Sequence, residues 1–401
     1  MTTTTEVIQP PEPPGVLTWL RENLFSNLIN SLLTLISLAI IILAISGIIR
    51  WVFSAADWEP VVRNPLLYLV GQYPRDLLWR LGIGLALVSL LLGASWRVWS
   101  GVMRTFAITF AVFLIVGVAW PTEAQTLTIQ IRVFLLANLG IILLGYLIGG
   151  IRFVSARYVL IAWIASVIIN LILMRGISGG GALAIVPTTL WGGLLVTLLL
   201  AIGGITLSFP IGVILALGRR SSLPVVKLFS TAFIEVIRGV PLISILFLFN
   251  IILPLFLPQE VRIDRLFRAL VGMTIFSAAY AAENVRGGLA AVPEGQVEAA
   301  KAIGLNSFQI TTLIVLPQAL RAVIPPIVGQ FISLFKDTTL ASGIAVLELL
   351  SVGRSILEGN PEYIGLQAEV YLFIAVVFWI FSYLMSYASQ RLEVALGVGE
   401  R

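Results

Sequence analysis

Ionisable side chains inside apolar stretches are the residues of this sequence with chemistry to offer. Three groups stand out. Glu235 and Arg238 precede Gly239 and Pro241. Glu283 and Arg286 lie at i and i+3, on one helix face. Lys336 and Asp337 are followed by Thr338 and Thr339. Each group mixes signs and can neutralise itself, so each fits a helix end closed by a paired or snorkelling charge. Each also fits a polar pathway, because charges within spans are costly and mark function. Other chemistry has little material. The 401 residues contain no His and no Cys. That excludes a Cys/His zinc site, a haem held by His, a Ser-His-Asp triad and a Cys nucleophile. No metal site is expected.

The elements that position these charges are membrane spans. The chain is 59% hydrophobic and 11% charged, against about 25% charged in soluble domains. Such a chain cannot cover a water-facing surface, so the fold class is all-α, a polytopic transmembrane helical bundle. Spans of about 20 apolar residues are predicted at roughly 27–49, 78–95, 103–120, 131–149, 157–174, 189–217, 225–257, 266–289, 311–335 and 367–390. Residues 78–120 could instead form a tight hairpin or a re-entrant pair, which sets the count at eight to ten. The net charge of +5 reflects Lys/Arg-rich loops on the cytoplasmic side and does not suggest nucleic acid. With both termini cytoplasmic, Arg97, Arg104, Arg152, Arg157, Arg219, Arg220 and Lys227 fall inside, as does the segment 290–310. Arg50, Arg63 and Arg75 in the loop 50–77 oppose that bias. The polar, Pro-rich start predicts a disordered cytoplasmic tail over 1–26, with no cleaved signal peptide. A Gly-rich linker near 176–187 divides an N-terminal extension, 27–180, from a core, 185–395.

One loop is unlike the rest. EAAKAIGLNSFQITTLIVLP, Glu298 to Pro317, is polar, breaks at Gly304 and restarts. Val297, Ala300 and Ile303 recur at helical spacing as one apolar stripe. Glu298 and Lys301 can pair weakly on another face. Gly304 suits the left-handed position that ends a helix. Asn306 and Gln309 have capping-box spacing for the next helix. The sequence therefore specifies helix, stop, restart across 297–305. An ordinary amphipathic helix resting on headgroups is the competing reading, but it prefers bulky apolar residues. Ala299, Ala300, Ala302 and Gly304 suit close approach to a partner.

This stretch resembles the EAA loop of ABC-importer permeases, with Glu298-Ala299-Ala300, Gly304 and Leu316-Pro317 in place. AYAAENVRGGLAAVPEGQVEAAKAIG (279–304), LPQALRAVIPPIVGQFISLFKDTTL (316–340) and IEVIRGVPLISILF (234–247) are similar to the permeases of polar amino acid importers. The resemblance covers roughly 190–395; YPRDLLWR (73–80) is similar, more weakly, to the longer members of that group. It implies a type I ABC importer permease core of five spans behind an extension of about five, in a bacterial inner membrane. It implies an ABC ATPase dimer as partner, an external binding protein that delivers a polar L-amino acid, and a second permease, favoured as a heterodimer. No cofactor is expected in this chain. It has no G-x-x-x-x-G-K-[ST] loop, so ATP and Mg belong to the ATPase. By resemblance, Glu298, Ala299, Ala300, Gly304 and Leu305 form the coupling site. Glu235, Arg238, Gly239, Pro241, Glu283, Arg286, Lys336, Asp337 and Thr338 line the substrate pathway. An amino acid carries an ammonium and a carboxylate, so a transient site needs both signs. Pro241 frees a carbonyl and bends its helix, Gly239 permits close approach, and broken helices are a recurring way to build transport sites. Pro325-Pro326 predicts a kink, and Gln330 is expected to bond between helices rather than touch substrate. An ABC permease for another solute is the alternative. A secondary transporter would need internal repeats and an intramembrane acid chain, neither of which is legible.

Overall fold

The computed structural model describes residues 15–121, 127–177, 180–258, 260–395 and 397. They form helices and no strands, with two isolated β-bridges. The chain divides into two compact units, Met1–Asp57 and Trp58–Arg401.

The first unit holds α1 (Val16–Asn23) and α2 (Leu28–Arg50), the latter continuing as a π-helical turn over Trp51–Ala55. The side chain of Asn27 caps α2 by accepting from the Asn30 N–H at 2.8 Å. Apolar residues surround α2 on every side and none is buried, as in a span clad in lipid. The tail expected to be disordered over 1–26 thus contains a helix, α1. There Val16, Leu17, Trp19 and Leu20 supply an apolar side to a segment whose polar residues include Arg21 and Glu22. Residues 1–14 lie outside the described residues.

The second unit starts with α3 (Glu59–Val62) and α4 (Pro65–Val70), two short helices each opened by proline in the first turn, where its missing N–H costs nothing. Four apolar helices follow: α5 (Leu78–Trp99), α6 (Gly101–Ala119), α7 (Ile129–Gly149) and α8 (Ala156–Arg175). Only Ser100, at φ 48°, separates α5 from α6, so residues 78–120 form a tight hairpin of two full spans. The α5–α7 contact is built on glycine. A Cβ on Gly93 would meet the Ile142 carbonyl oxygen at 2.0 Å, and one on Gly145 the Leu90 carbonyl oxygen at 2.1 Å. Gly145 and Gly149 repeat the small-x-x-x-small spacing that lets backbones meet in lipid. Ser89 closes the same interface by donating to Asn138 Oδ1 at 2.8 Å, both fully buried.

The remaining helices are α9 (Gly193–Arg219), α10 (Pro224–Arg238), α11 (Leu242–Phe247) and α12 (Arg265–Ala291), then α13 (Glu294–Ala302), α14 (Ser307–Gln309) and α15 (Leu316–Ala322), then α16 (Ile324–Asp337), α17 (Leu349–Gly359) and α18 (Gln367–Ala395). α9 and α12 pack along their length and make the centre, with Val196, Leu200, Met273, Ala278, Ala282 and Val285 nearly or fully buried. Two predicted spans are broken. Residues Pro224–Arg238 and Leu242–Phe256 meet at 106° across Gly239-Val240-Pro241, and Ser307–Ala322 meets Ile324–Ile344 at 60°. By length and composition there are eight candidate spans among the described residues, or ten if each bent pair counts as one. The second break falls at Val323, just before Pro325 and Pro326, which occupy the first turn of α16. The prolines fit a helix start, so the chain ends one helix and begins another instead of kinking within one.

Several contacts tie the first helices of this unit to later segments, and those segments to one another. Tyr73 Oη donates to the Met174 carbonyl at 2.9 Å. The buried Arg80 donates to the carbonyls of Ala182 and Ala184 at 3.0 and 2.8 Å. Gly71 pairs with Trp191, and Gly193 with Glu348. Phe113 of α6 stacks on Phe381 of α18 at 5.5 Å between ring centres.

Candidate functional site

Four of the six predicted charges come together, but not as self-contained pairs. Glu283 of α12 is the hub. Its Oε1 accepts from Arg286 Nη2 at 2.6 Å and Nε at 2.9 Å. Its Oε2 accepts from Arg219 Nη1 at 3.3 Å and lies 3.7 Å from Arg238 Nη1. Arg219 also reaches Glu235, Nη2 to Oε1, at 2.8 Å. Glu235 and Arg238, expected to neutralise each other, do not pair. They lie three apart on α10, but Arg238 is its last residue before the 106° bend. There it turns toward Glu283 and over the Tyr280 ring, 5.5 Å from its centre. Five side chains from three helices, three cationic and two anionic, thus form one network of net charge +1. The groups are a quarter to a half exposed, so water screens them and each pair is worth little in isolation. What the network offers is geometry: it ties the end of α9 to both α10 and α12.

The sequence does not mark Arg219 as a site residue. Beside Arg220 at a span end, it reads as a loop cation. Its partners lie 16 and 64 residues away, and no local pattern announces them. Gly239 has an ordinary φ of −78°, and a Cβ there would meet only the Glu235 and Val236 carbonyls of its own helix, so it permits no close approach. The bend itself falls where Pro241 predicts.

Lys336 and Asp337 make no ion pair among the described residues, contrary to expectation. Lys336 is exposed, while Thr338 is buried and donates to the Phe335 carbonyl at 2.7 Å. This group closes the C-terminal end of α16 and does not join the network. Gln330 bonds between helices, as expected. It accepts from Asn284 at 2.8 Å and donates to the Ser277 carbonyl at 2.6 Å, pinning α16 to α12 beside the network.

The second candidate region is α13. It begins at Glu294, three residues before the predicted start, with Pro293 as its N-cap. Its end is built by the predicted residues. Gly304 sits at φ 84°, its N–H donates to the Lys301 carbonyl at 2.9 Å, and the Leu305 N–H to the Ala300 carbonyl at 3.2 Å. That is the pair of bonds of a Schellman stop. The restart is a complete capping box, with Asn306 and Gln309 exchanging bonds of 2.9 and 3.0 Å. The expected apolar stripe does not hold. Ala300 is buried and α13 packs on the turn Ile310–Val315, but Ile303 has left the helix and is 76% exposed. Glu298 and Lys301 stay unpaired among the described residues. The outward face therefore carries Glu298, Ala299, Ala302 and Ile303, with Phe308 beyond the stop.

A family model described as "Binding-protein-dependent transport system inner membrane component" matches residues 208–396. The inner membrane amino-acid ABC transporter permease protein YhdY of Escherichia coli K12 is 35% identical over 412 residues, covering 97% of each chain. The glutamate/glutamine/aspartate/asparagine transport system permease protein BztC of Rhodobacter capsulatus is 33% identical over 439 residues, covering 97% of this chain and 96% of its own. A solved chain described as "Crystal structure of an amino acid ABC transporter with histidines" aligns at 30% identity and a TM-score of 0.46, over 51% of this chain and 92% of its own.

Proposed function

The chain belongs to the family of amino-acid ABC transporter permeases, multi-pass proteins of the inner membrane, and from that premise we propose that it is the permease of an ATP-driven importer of polar L-amino acids. An external binding protein delivers the substrate. ATP and Mg act on a separate ATPase dimer, and a second permease, different from this one, completes the pathway. We assign residues 27–180 to a membrane extension and 185–395 to the transport core, with both termini cytoplasmic.

One observation carries the reading: α13 is a short helix with a defined stop and restart, held from behind through Ala300 and presenting small residues outward. A helix kept so rigidly at its ends transmits a push along its axis instead of fraying. Glu298, Ala299, Ala302 and Gly304 then meet the ATPase, while Ala300 and Leu305 seat the helix on its own chain. The network supports the other half of the reading. Movement of α13 reaches α12 directly, since only Val292 and Pro293 lie between the two helices. α12 carries Glu283, on which Arg219, Arg238 and Arg286 converge. A zwitterion passing the bend at Gly239-Pro241 meets carboxylates for its ammonium and arginines for its carboxylate. Lys336, Asp337 and Thr338 contribute at the end of α16.

The test is a mild-detergent pull-down of the tagged full chain from its own host, with and without Glu298→Arg. A P-loop ATPase recovered with the native chain and lost with the variant is expected. No ATPase with either chain, both present intact, would overturn the proposal.

A further inference from the structure

The break between α15 and α16 opens a groove that the transport reading does not use. Its volume is about 410 Å³. Leu320 and Ile327 line it from the two sides of the break, Phe331 lies a turn further along α16, Phe209 faces it from α9, and Leu392 from α18. One lining side chain is charged, Arg321. It is exposed and makes no hydrogen bond or ion pair among the described residues.

The groove has a head and a tail. The Ala319 carbonyl abuts Gly288, where an added Cβ would come within 2.5 Å, close to the end of α12 at Ala291. Arg321 therefore sits at the level where α12 leaves the apolar layer. Phe209 and Phe331 are in edge-on contact at 6.4 Å. Phe209 lies ten residues before the end of α9 at Arg219, about 15 Å along a helix. The groove thus descends from a lone cation at the interface into an apolar slot.

We infer that this groove binds an anionic phospholipid, one acyl chain in the slot and the phosphate on Arg321. The slot is lined by apolar side chains and opens on a face made of spans, so hydrocarbon fills it at no polar cost. A guanidinium recognises a phosphate through two N–H donors. On the α13 side, which the proposed function makes cytoplasmic, the leaflet is anionic and each interfacial Arg contributes about 1 kcal/mol. That corresponds to roughly a fivefold preference over a zwitterionic lipid. Because the lining comes from both sides of the 60° break, an occupied slot holds the bend at this angle, so the lipid acts on the element that follows the α13 turn.

The full chain, purified in mild detergent with whatever subunits accompany it, is titrated with phosphatidylglycerol or with phosphatidylcholine of the same chains and read by native mass spectrometry. Retention of phosphatidylglycerol about fivefold above phosphatidylcholine is expected, with the preference abolished by Arg321→Ala and partly kept by Arg321→Lys. Val328→Trp, which fills the slot, lowers retention of both lipids. An equal preference in the native chain, or one that Arg321→Ala leaves unchanged, overturns the inference. So does crosslinking of a single cysteine at Val328 to another permease subunit, since the groove would then be a subunit contact; the chain has no native cysteine to confuse that reading. Failure of the ATPase pull-down would leave all these lipid readings in place, so the two proposals fail separately.

Discussion

Arg219 Nη2 and Glu235 Oε1 are 2.8 Å apart, joining the end of α9 to the helix that breaks at Gly239-Pro241. The same guanidinium reaches Glu283 at 3.3 Å. Arg219 is thus the one cation of the network that touches both carboxylates.

Arg219→Ala is expected to lower uptake about tenfold, the size of a conformational coupling near 1.4 kcal/mol, while membrane abundance changes little because exposed ion pairs add little stability. Uptake and immunoblot signal, measured on the same membranes, check this. Equal losses in both would make Arg219 a folding residue. Combining Arg219→Ala with Glu235→Gln should cost less than the sum of the single changes, as for groups in contact.

Gly304 sits at φ 84° with nothing within 4 Å of an added Cβ, so a side chain fits the space but not the backbone. Gly304→Val should cost about 1–2 kcal/mol of local stability and release the ATPase in the pull-down. Gly304→Asn, which tolerates the left-handed conformation, should retain it. Loss with both variants would show that the side chain itself blocks docking.

Gly145→Leu should destabilise the α5–α7 contact by about 1–3 kcal/mol through overpacking, since even a Cβ would sit 2.1 Å from the Leu90 carbonyl. Gly140→Leu is the control. It lies on the same helix with nothing within 4 Å and should be silent. Limited proteolysis in membranes distinguishes them.

Glu348 caps α17 outside the candidate spans. It is fully buried, and burial pushes its carboxyl up to about 7, against bonds from the N–H groups of Leu350 and Ser351, the Ser351 hydroxyl and the charge of Arg354, which favour the anion. The folded state therefore holds its proton more tightly than the unfolded chain, whose ordinary value is 4.5. The stabilisation is complete below pH 4.5, on the order of 3 kcal/mol, and is lost as pH rises through 7. Thermal unfolding between pH 5 and pH 8 should show the fall, and Glu348→Gln should flatten it.

What could be read from the sequence was what short-range chemistry decides. Gly304, Asn306 and Gln309 build a stop and a start within six residues, and the structure has both. Pro241 marked its bend for the same reason. Glu283 and Arg286, one turn apart, pair as expected. The failures lie where contacts span the chain. Spacing matches Glu235 to its neighbour Arg238, yet it pairs with Arg219 on another helix. Ile303 fitted a helical repeat that ends one residue before it. The Gly93 and Gly145 contact is invisible in one sequence, because glycine in an apolar stretch looks alike whether a backbone presses on it or not.

The pairing of Gly71 with Trp191 has a consequence for synthesis. A chain leaves the ribosome N-terminus first, and its early parts fold before its late parts exist. When Trp191 emerges, Gly71, Tyr73 and Arg80 have already been made. The start of α9, on which α12 and the later helices pack, is received by a surface made beforehand. The early helices act as a nursery for the late ones, and a shortened gene beginning near residue 185 would have to lay its first span with nothing to receive it.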